Sequence, residues 1–449
     1  MSSFIVNGGM RLSGTVNTSG NKNEALPVIA ASLLCAGTIR LENVPDIGDV
    51  HSMLAIATEM GAGVSAVKNH SVTINASLVS RSTLPLELSS AIRGSILFAS
   101  ALLVKTGSAI IPQPGGDPIG RRRLDTHFFL LKALGATINI KRIKSGAILY
   151  MLEAKRGLHG AEVYLDEASV TATENAIIAA AGAQGVTTIA NAASEPHVQG
   201  LCRFLQAMGA TIEGVGSNIL TIYGTKKFSP AHHTIGSDYI ETGSFIGLAA
   251  ATRSTITITN VDIQHMRMIL FQFERLGVSV EVDHAKRHIT VSGRQKLSVK
   301  KDLFGAIPKI EDNIWPAFPA DLISIMIVVA TQAQGTCLIH EKMFESRLFF
   351  VDKLIAMGAQ IVLCDPHRAV IAGPSQLLGA TISSPDIRAG MALLIAACAA
   401  RGTSNIQNIE QIDRGYDRID ERLARLGASI SRITERRKNW PIPQAGKKP

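Results

Sequence analysis

The stretch RFLQAMGATIEGV (residues 203–215) decides the fold. RFLQAM carries apolar residues at helical spacing, and Gly209 follows as glycine commonly does just past a helix C-terminus. ATIEGV then alternates apolar and polar residues, the period of a half-buried strand. The same punctuation recurs in EMGAGVSAV, ALGATINIK, RLGVSVEVD, AMGAQIVLC and RLGASISRI. The Met/Leu-Gly pairs begin at Met60, Leu134, Met208, Leu276, Met357 and Leu426. In most copies a second strand, such as NILTIYG or RAVIAG, follows and closes a hairpin.

A second pattern precedes each copy: NKNEALPVIAASLL, SSAIRGSILFASALL, SVTATENAIIAAAGA, YIETGSFIGLAAAT, ADLISIMIVVATQA and DIRAGMALLIAACAA. These segments are apolar nearly all round, which marks helices buried on every side. The unit is therefore strand, buried helix, strand, amphipathic helix, strand, strand. At roughly 70 residues it is too large for a solenoid repeat. Six copies predict an α/β protein of two domains with three βαβαββ-type repeats each. The polar stretches TSGNKN (18–23) and SPAHHTIGS (229–237) read as the crossings. The first domain spans 21–232 and carries a glycine- and arginine-rich loop at 113–125. The second takes 1–20 plus 233–434, with FIVNGGMRLSG returning to join it. Residues 435–449 read as a basic, disordered tail.

The chain has 449 residues, 46% of them apolar, and a net charge of +9; mean hydropathy is +0.21. The last fifteen residues hold five Lys/Arg against one Glu, so much of that charge is local. What is left suits a small anionic ligand as well as a polyanion. Cys35, Cys202, Cys337, Cys364 and Cys398 show no CxxC and no histidine at ligand spacing, which excludes a disulfide framework and a zinc site. MSSFIVNGGMRL has no apolar signal region, and LISIMIVVA and MALLIAACAA fall short of the roughly 20 residues of a membrane span. A cytoplasmic, soluble protein without metal or organic cofactor is the expectation.

The polar residues of the buried helices gather near their N-terminal ends: Lys22, Asn23 and Glu24; Arg93; Thr173, Glu174 and Asn175; Glu241 and Thr242; Asp321; Arg388. Thr173, Glu174, Glu241 and Thr242 read as caps. Lys22, Arg93 and Arg388 oppose the helix dipole and need an anion nearby. The loop PGGDPIGRRR (114–123) sets one carboxylate, Asp117, among glycines and arginines, a composition suited to phosphate or carboxylate ligands. Three motifs carry no chemistry. EGVGSN lacks the third glycine of a nucleotide loop and reads as a hairpin turn. His232 and His233 read as solvated linker residues. The ERRK run at 435–438 reads as a solvated end, and no GxxxxGK[ST] loop is present.

With these motifs assembled, the sequence resembles the enolpyruvyl transferase family over Phe4 to about Arg432. The resemblance rests on FIVNGGMRLSGTV, SGNKNEALPVIAASLL, LENVPDI, PGGDPIG, SVTATEN, PAFPAD and IDRGYDRI, of which PGGDPIG and PAFPAD match the nucleotide-sugar branch. It implies two inside-out α/β domains with an active-site cleft between them. It also implies transfer of enolpyruvate from phosphoenolpyruvate to the 3-hydroxyl of UDP-N-acetylglucosamine, the first committed step of peptidoglycan synthesis, with neither nucleic acid nor membrane as partner. By this resemblance Lys22, Arg122 and Arg414 hold the phosphate, while Arg347 and Arg388 lie near the carboxylate. Arg93 and Asn23 support the reacting centre and sugar. Asp321 accepts the 3-hydroxyl proton. The nucleotide lies along Arg122, Arg123, Leu124 and Asp125 and against Ser169 and Val170, with Met343 also in the substrate site. The loop residue that corresponds to Asp117 is cysteine in most of the family, where it is the general acid and the target of fosfomycin. Aspartate there implies an acid on a mobile lid and intrinsic fosfomycin resistance, or a loop-stabilising residue in an inactive paralogue.

Thr171 stands where the family usually has glycine, Glu167 where lysine is common, Ser346 in place of asparagine and Ala320 in place of threonine. These departures keep open an acceptor such as shikimate 3-phosphate or a nucleoside-antibiotic precursor. A noncatalytic nucleic-acid binder rests on net charge alone.

Overall fold

A computed structural model describes residues 2–117 and 119–433; the basic tail expected at 435–449 lies outside the described residues. The chain divides into two compact units. Among the described residues, unit one holds 2–19, those of the stretch 117–121 and 237–433, and unit two holds Gly20–Gly116 and Arg122–Gly236. Each has its own apolar core.

Among the described residues there are six sheets, three per unit; five are four-stranded on one plan, and the sixth, Ser108–Pro112 with Thr137–Arg142 and Ile148–Glu153, has three antiparallel strands. In the third repeat Glu162–Tyr164 pairs in parallel with Val186–Ala190, which pairs antiparallel with Ile219–Tyr223, which pairs with Thr211–Glu213. Each sheet buries one face: Thr38–Glu42 and Thr255–Thr259 alternate buried and less buried residues. The all-apolar helices fill the interior. In unit two Lys22–Ala31, Phe98–Thr106 and Val170–Ala181 pack on one another; in unit one Tyr239–Ala251, Ile323–Gln332 and Ile387–Ala399 do the same. A helix surrounded by other elements has no polar face to offer, hence the composition read from the sequence.

Three features differ from the sequence reading. His232–Thr234 is a strand pairing in parallel with Thr38–Glu42 and completing the first sheet of unit two. Its histidines are engaged: His233 Nε2 lies 2.8 Å from Glu24 Oε1 and is largely buried, and His232 Nε2 lies 3.0 Å from Glu42. The N-terminal stretch forms two strands. Ser3–Asn7 sits between Thr403–Gln407 and Ser429–Ile433, and Ser13–Asn17 pairs with Thr255–Thr259. The run SSAIRGSILFASALL is broken at Ile92, whose backbone is extended (φ −135°, ψ 147°) between Leu86–Ala91 and a 3₁₀ turn at Arg93–Leu97. Ser95 closes the break by donating to the carbonyls of Ser89 and Ile92.

Candidate active site

The expected site residues fall into one set per unit. In unit two, Asn21 caps the helix Lys22–Ala31 by accepting from the Asn23 N–H at 2.9 Å, which puts Lys22 and Asn23 in its first turn. The anion Lys22 requires is Asp49, 2.7 Å from Nζ, with both side chains buried. Arg93 opens the 3₁₀ turn created by the break at Ile92. Its Nη2 donates to the Arg123 carbonyl at 2.8 Å, and its buried Nε meets no acceptor. Burial, and then the repulsion of Arg122, lower Arg93 to about 10. Two cations this close, one partly desolvated, favour an anionic ligand.

Residues 122–125 and 169–170 are brought together by cross-links. Thr126 Oγ1 donates to Asp166 at 2.7 Å, and His127 Nε2 lies 3.1 Å from Thr171 Oγ1. Asn175 Nδ2 donates to His127 Nδ1 at 2.9 Å, so the imidazole proton sits on Nε2 and is donated to Thr171. Burial, with Arg93 adding, pushes His127 down to about 3, so the ring is neutral. Ser169 is the N-cap of Val170–Ala181. Arg123 pairs with Asp125 at 2.5 and 2.9 Å and is exposed; Leu124 is buried.

The glycines of the loop are required by space. A Cβ on Gly115 would lie 1.9 Å from the Ser90 carbonyl oxygen, and Gly116 has φ +119° with the Arg93 side chain against it. Only glycine serves both positions.

In unit one, Asp321 lies in the 3₁₀ turn leading into Ile323–Gln332. Arg347 Nη2 donates to its Oδ1 at 2.9 Å, and Arg388 Nε donates to its Oδ2 at 3.0 Å. Both arginine side chains are almost wholly buried, while Asp321 is 27% exposed. Burial opposes their charge, but Asp321 leads the carboxylates that outweigh it and hold both guanidiniums firmly protonated. Arg388 also donates to the Tyr416 hydroxyl at 3.3 Å. The helix bearing Arg388 is capped by Asp386, which accepts from the N–H groups of Arg388 and Ala389. Asp117 pairs with Arg414, and its charge is felt at Asp386. Met343 is exposed in the segment before Arg347.

The capping reading of four residues is corrected. The caps are Ser169 and Asp238. Thr173 instead accepts from the Ala193 N–H, Glu241 pairs with Arg422, Thr242 contacts Thr18, and Glu174 is a buried carboxyl pushed up by burial. Asp49, His127, Asn175, Asp386 and Tyr416 were not among the expected site residues. Tyr416 lies inside IDRGYDRI, and Asp386 precedes an apolar run as a cap does; these were the available signals.

The family model described as EPSP synthase (3-phosphoshikimate 1-carboxyvinyltransferase) matches residues 6–423. A UDP-N-acetylglucosamine 1-carboxyvinyltransferase of Treponema denticola is 53% identical over 96% of this chain and 99% of its own length. One of Bradyrhizobium diazoefficiens is 52% identical over 97% and 99%. Among solved structures, the enolpyruvyl transferase NikO of Streptomyces tendae superposes with a TM-score of 0.84 at 24% identity, covering 97% of this chain and 99% of NikO, a likeness of fold. The chain belongs to the enolpyruvyl transferase family, alongside the UDP-N-acetylglucosamine 1-carboxyvinyltransferases.

Proposed function

We infer that this chain transfers the enolpyruvyl group of phosphoenolpyruvate to the 3-hydroxyl of UDP-N-acetylglucosamine and releases phosphate. The observation that carries the reading is Asp321, gripped between Arg347 and Arg388, in a chain half identical over its length to UDP-N-acetylglucosamine 1-carboxyvinyltransferases. The sugar 3-oxygen attacks C2 of phosphoenolpyruvate while its proton passes to Asp321, the general base, and Asp117, the general acid, delivers a proton to C3. The tetrahedral intermediate then returns a proton from C3 to the Asp117 carboxylate as the C2–O bond to phosphate breaks, and the departing phosphate takes up the proton that Asp321 received. A positioned acid or base typically contributes about 10²–10⁴-fold. Lys22, Arg122 and Arg414 bind the phosphate, Arg347 and Arg388 the carboxylate, and their fixed charges stabilise the developing anion. Arg93 and Asn23 support the reacting centre and the sugar; Arg122, Arg123, Leu124, Asp125, Ser169 and Val170 hold the nucleotide, and Met343 contributes to the substrate site.

Both aspartates are paired here with arginines assigned to the anions of phosphoenolpyruvate. The arriving phosphate and carboxylate compete for those guanidiniums and free the carboxylates for proton transfer. The reaction opens peptidoglycan synthesis, and through it cell-wall biogenesis, shape and division, in the cytoplasm. With Asp117 in place of a thiol, the enzyme resists fosfomycin. Among the described residues no helix is long and apolar enough to cross a membrane.

The test is phosphate release from phosphoenolpyruvate with UDP-N-acetylglucosamine, run beside shikimate 3-phosphate and repeated with fosfomycin. Release with the nucleotide sugar alone supports the reading; release with shikimate 3-phosphate alone overturns it.

A further inference from the structure

A second carboxyl pair in unit one has no part in the chemistry above. The strands Lys309–Glu311 and Gly335–His340 pair in parallel with Glu311 opposite His340, so Asp312 and Glu341 follow side by side at the strand ends. Both are fully buried. Each carboxyl has one satisfied oxygen. Asp312 Oδ1 accepts from the Lys342 N–H at 2.5 Å, and Glu341 Oε1 accepts from the N–H groups of Met343 at 3.3 Å and Phe344 at 3.1 Å. The other two oxygens, Asp312 Oδ2 and Glu341 Oε2, meet no donor. Glu341 Oε2 lies 3.6 Å from Arg347 Nε, an ion-pair distance outside hydrogen-bond range.

Two buried carboxylates side by side repel each other and lack solvation. An ionised carboxylate only accepts, but a protonated one donates, so a single proton satisfies both leftover oxygens. Burial pushes Glu341 up to about 9 against the pull of Arg347, and Asp312 adds to the rise. The other charges facing this group are Asp321, Asp386 and Arg388 around Arg347. His367 Nδ1 lies 2.7 Å from the Glu341 carbonyl. Glu311, with Lys309, Lys342 and His340, forms a more exposed cluster beside it.

We propose that Asp312 and Glu341 share one proton and act together as positioning residues, holding the Met343–Phe344 turn and setting Arg347, which in turn orients Asp321. The inference rests on Asp321 and Arg347 belonging to the reacting machinery. The pair carries one negative charge whichever oxygen holds the proton. Loss of the proton places a second negative charge against Arg347 and draws the guanidinium away from Asp321.

Glu341→Gln and Asp312→Asn each retain one charge and a donor facing an acceptor, whereas Glu341→Ala removes the pair. In infrared difference spectra at neutral pH, wild type minus Glu341→Gln is expected to show the carbonyl stretch of a neutral carboxylic acid. In the pH profile of kcat/KM, wild type loses activity above about pH 9 and both amide variants keep it. Glu341→Ala, folded by circular dichroism, loses about tenfold or more in kcat/KM at neutral pH. A difference spectrum without the acid band overturns the proposal. So do equal losses in the Gln and Ala variants. The infrared readout needs no turnover, so failure of the catalytic reading shows separately, as an active Asp321→Asn variant in a protein that keeps the band.

Discussion

Arg414 Nη1 lies 2.5 Å from Asp117 Oδ1, and both side chains are more than four-fifths buried. The loop carboxylate is therefore held by the guanidinium assigned to the phosphate of phosphoenolpyruvate. Removing the acid while leaving the arginine is expected to spare substrate binding and abolish proton delivery. Asp117→Ala should lose about 10²–10⁴-fold in kcat with a smaller change in KM. Normal turnover in that variant would remove Asp117 from the mechanism.

The same loop position is expected to set the response to fosfomycin. Asp117→Cys is expected to keep measurable turnover, because a thiol is also a proton donor, and to be inactivated by the epoxide in a time-dependent way. Wild type should show no such inactivation. Mass spectrometry of the intact protein after incubation distinguishes the two outcomes, since only the thiol forms the adduct.

Arg388 grips Asp321 through Nε and Tyr416 through Nη1. Lysine supplies one charge but not two donors in a fixed plane. Arg388→Lys should therefore raise KM for phosphoenolpyruvate and lower kcat together. Arg388→Ala leaves a carboxylate short of a buried partner and should cost about 3–5 kcal/mol in stability. Steady-state kinetics with chemical denaturation test both, and a variant unchanged in KM would separate Arg388 from the carboxylate.

Gly200 lies within the helix Pro196–Ala207, where a Cβ would sit 2.2 Å from the Glu24 carboxyl carbon. That carboxylate is fixed by His233 and by the Gly236 N–H at 3.1 Å, beside Lys22 and Asn23 in the sequence. Gly200→Ala should destabilise unit two by about 1–3 kcal/mol through overpacking, despite the better helix propensity of alanine. A denaturation midpoint equal to wild type would show that Glu24 moves freely.

His127 is neutral in the folded protein because burial and then Arg93 push it down to about 3. In the unfolded chain it takes up a proton near pH 6.5. Between those values the unfolded state binds more protons, so this residue's contribution is fully present above pH 6.5 and lost as the pH falls. The limiting slope is about 1.4 kcal/mol per pH unit. His127→Gln keeps an acceptor for Asn175 and a donor for Thr171 but does not titrate. Urea midpoints at pH 7 and pH 5 should differ less in the variant than in wild type. Equal differences would place the proton elsewhere.

Much of the architecture is a local property of the chain. RFLQAMGATIEGV combines an amphipathic turn, a glycine stop and an alternating strand within thirteen residues, and its five relatives of the same pattern announce the repeats without any distant contact. The all-apolar helices are equally legible, because burial on every side leaves no polar face to disguise. Lys22, Arg93 and Arg388 could be singled out because a cation at a helix start opposes the dipole. Their partners could not. Asp49 beside Lys22, the two arginines on Asp321, Asp117 on Arg414 and the Asp312–Glu341 pair each join residues from different elements. Which carboxylate meets which cation depends on desolvation and geometry, neither of which has a period in the sequence. The same holds for His232–Thr234, a polar stretch that becomes a strand only because the first sheet leaves an edge open beside Thr38–Glu42. It holds also for Ser3–Asn7, fastened to strands some four hundred residues away. Ile92 breaks its helix for the same kind of reason: the Arg123 carbonyl that receives Arg93 is in place only once the chain has folded.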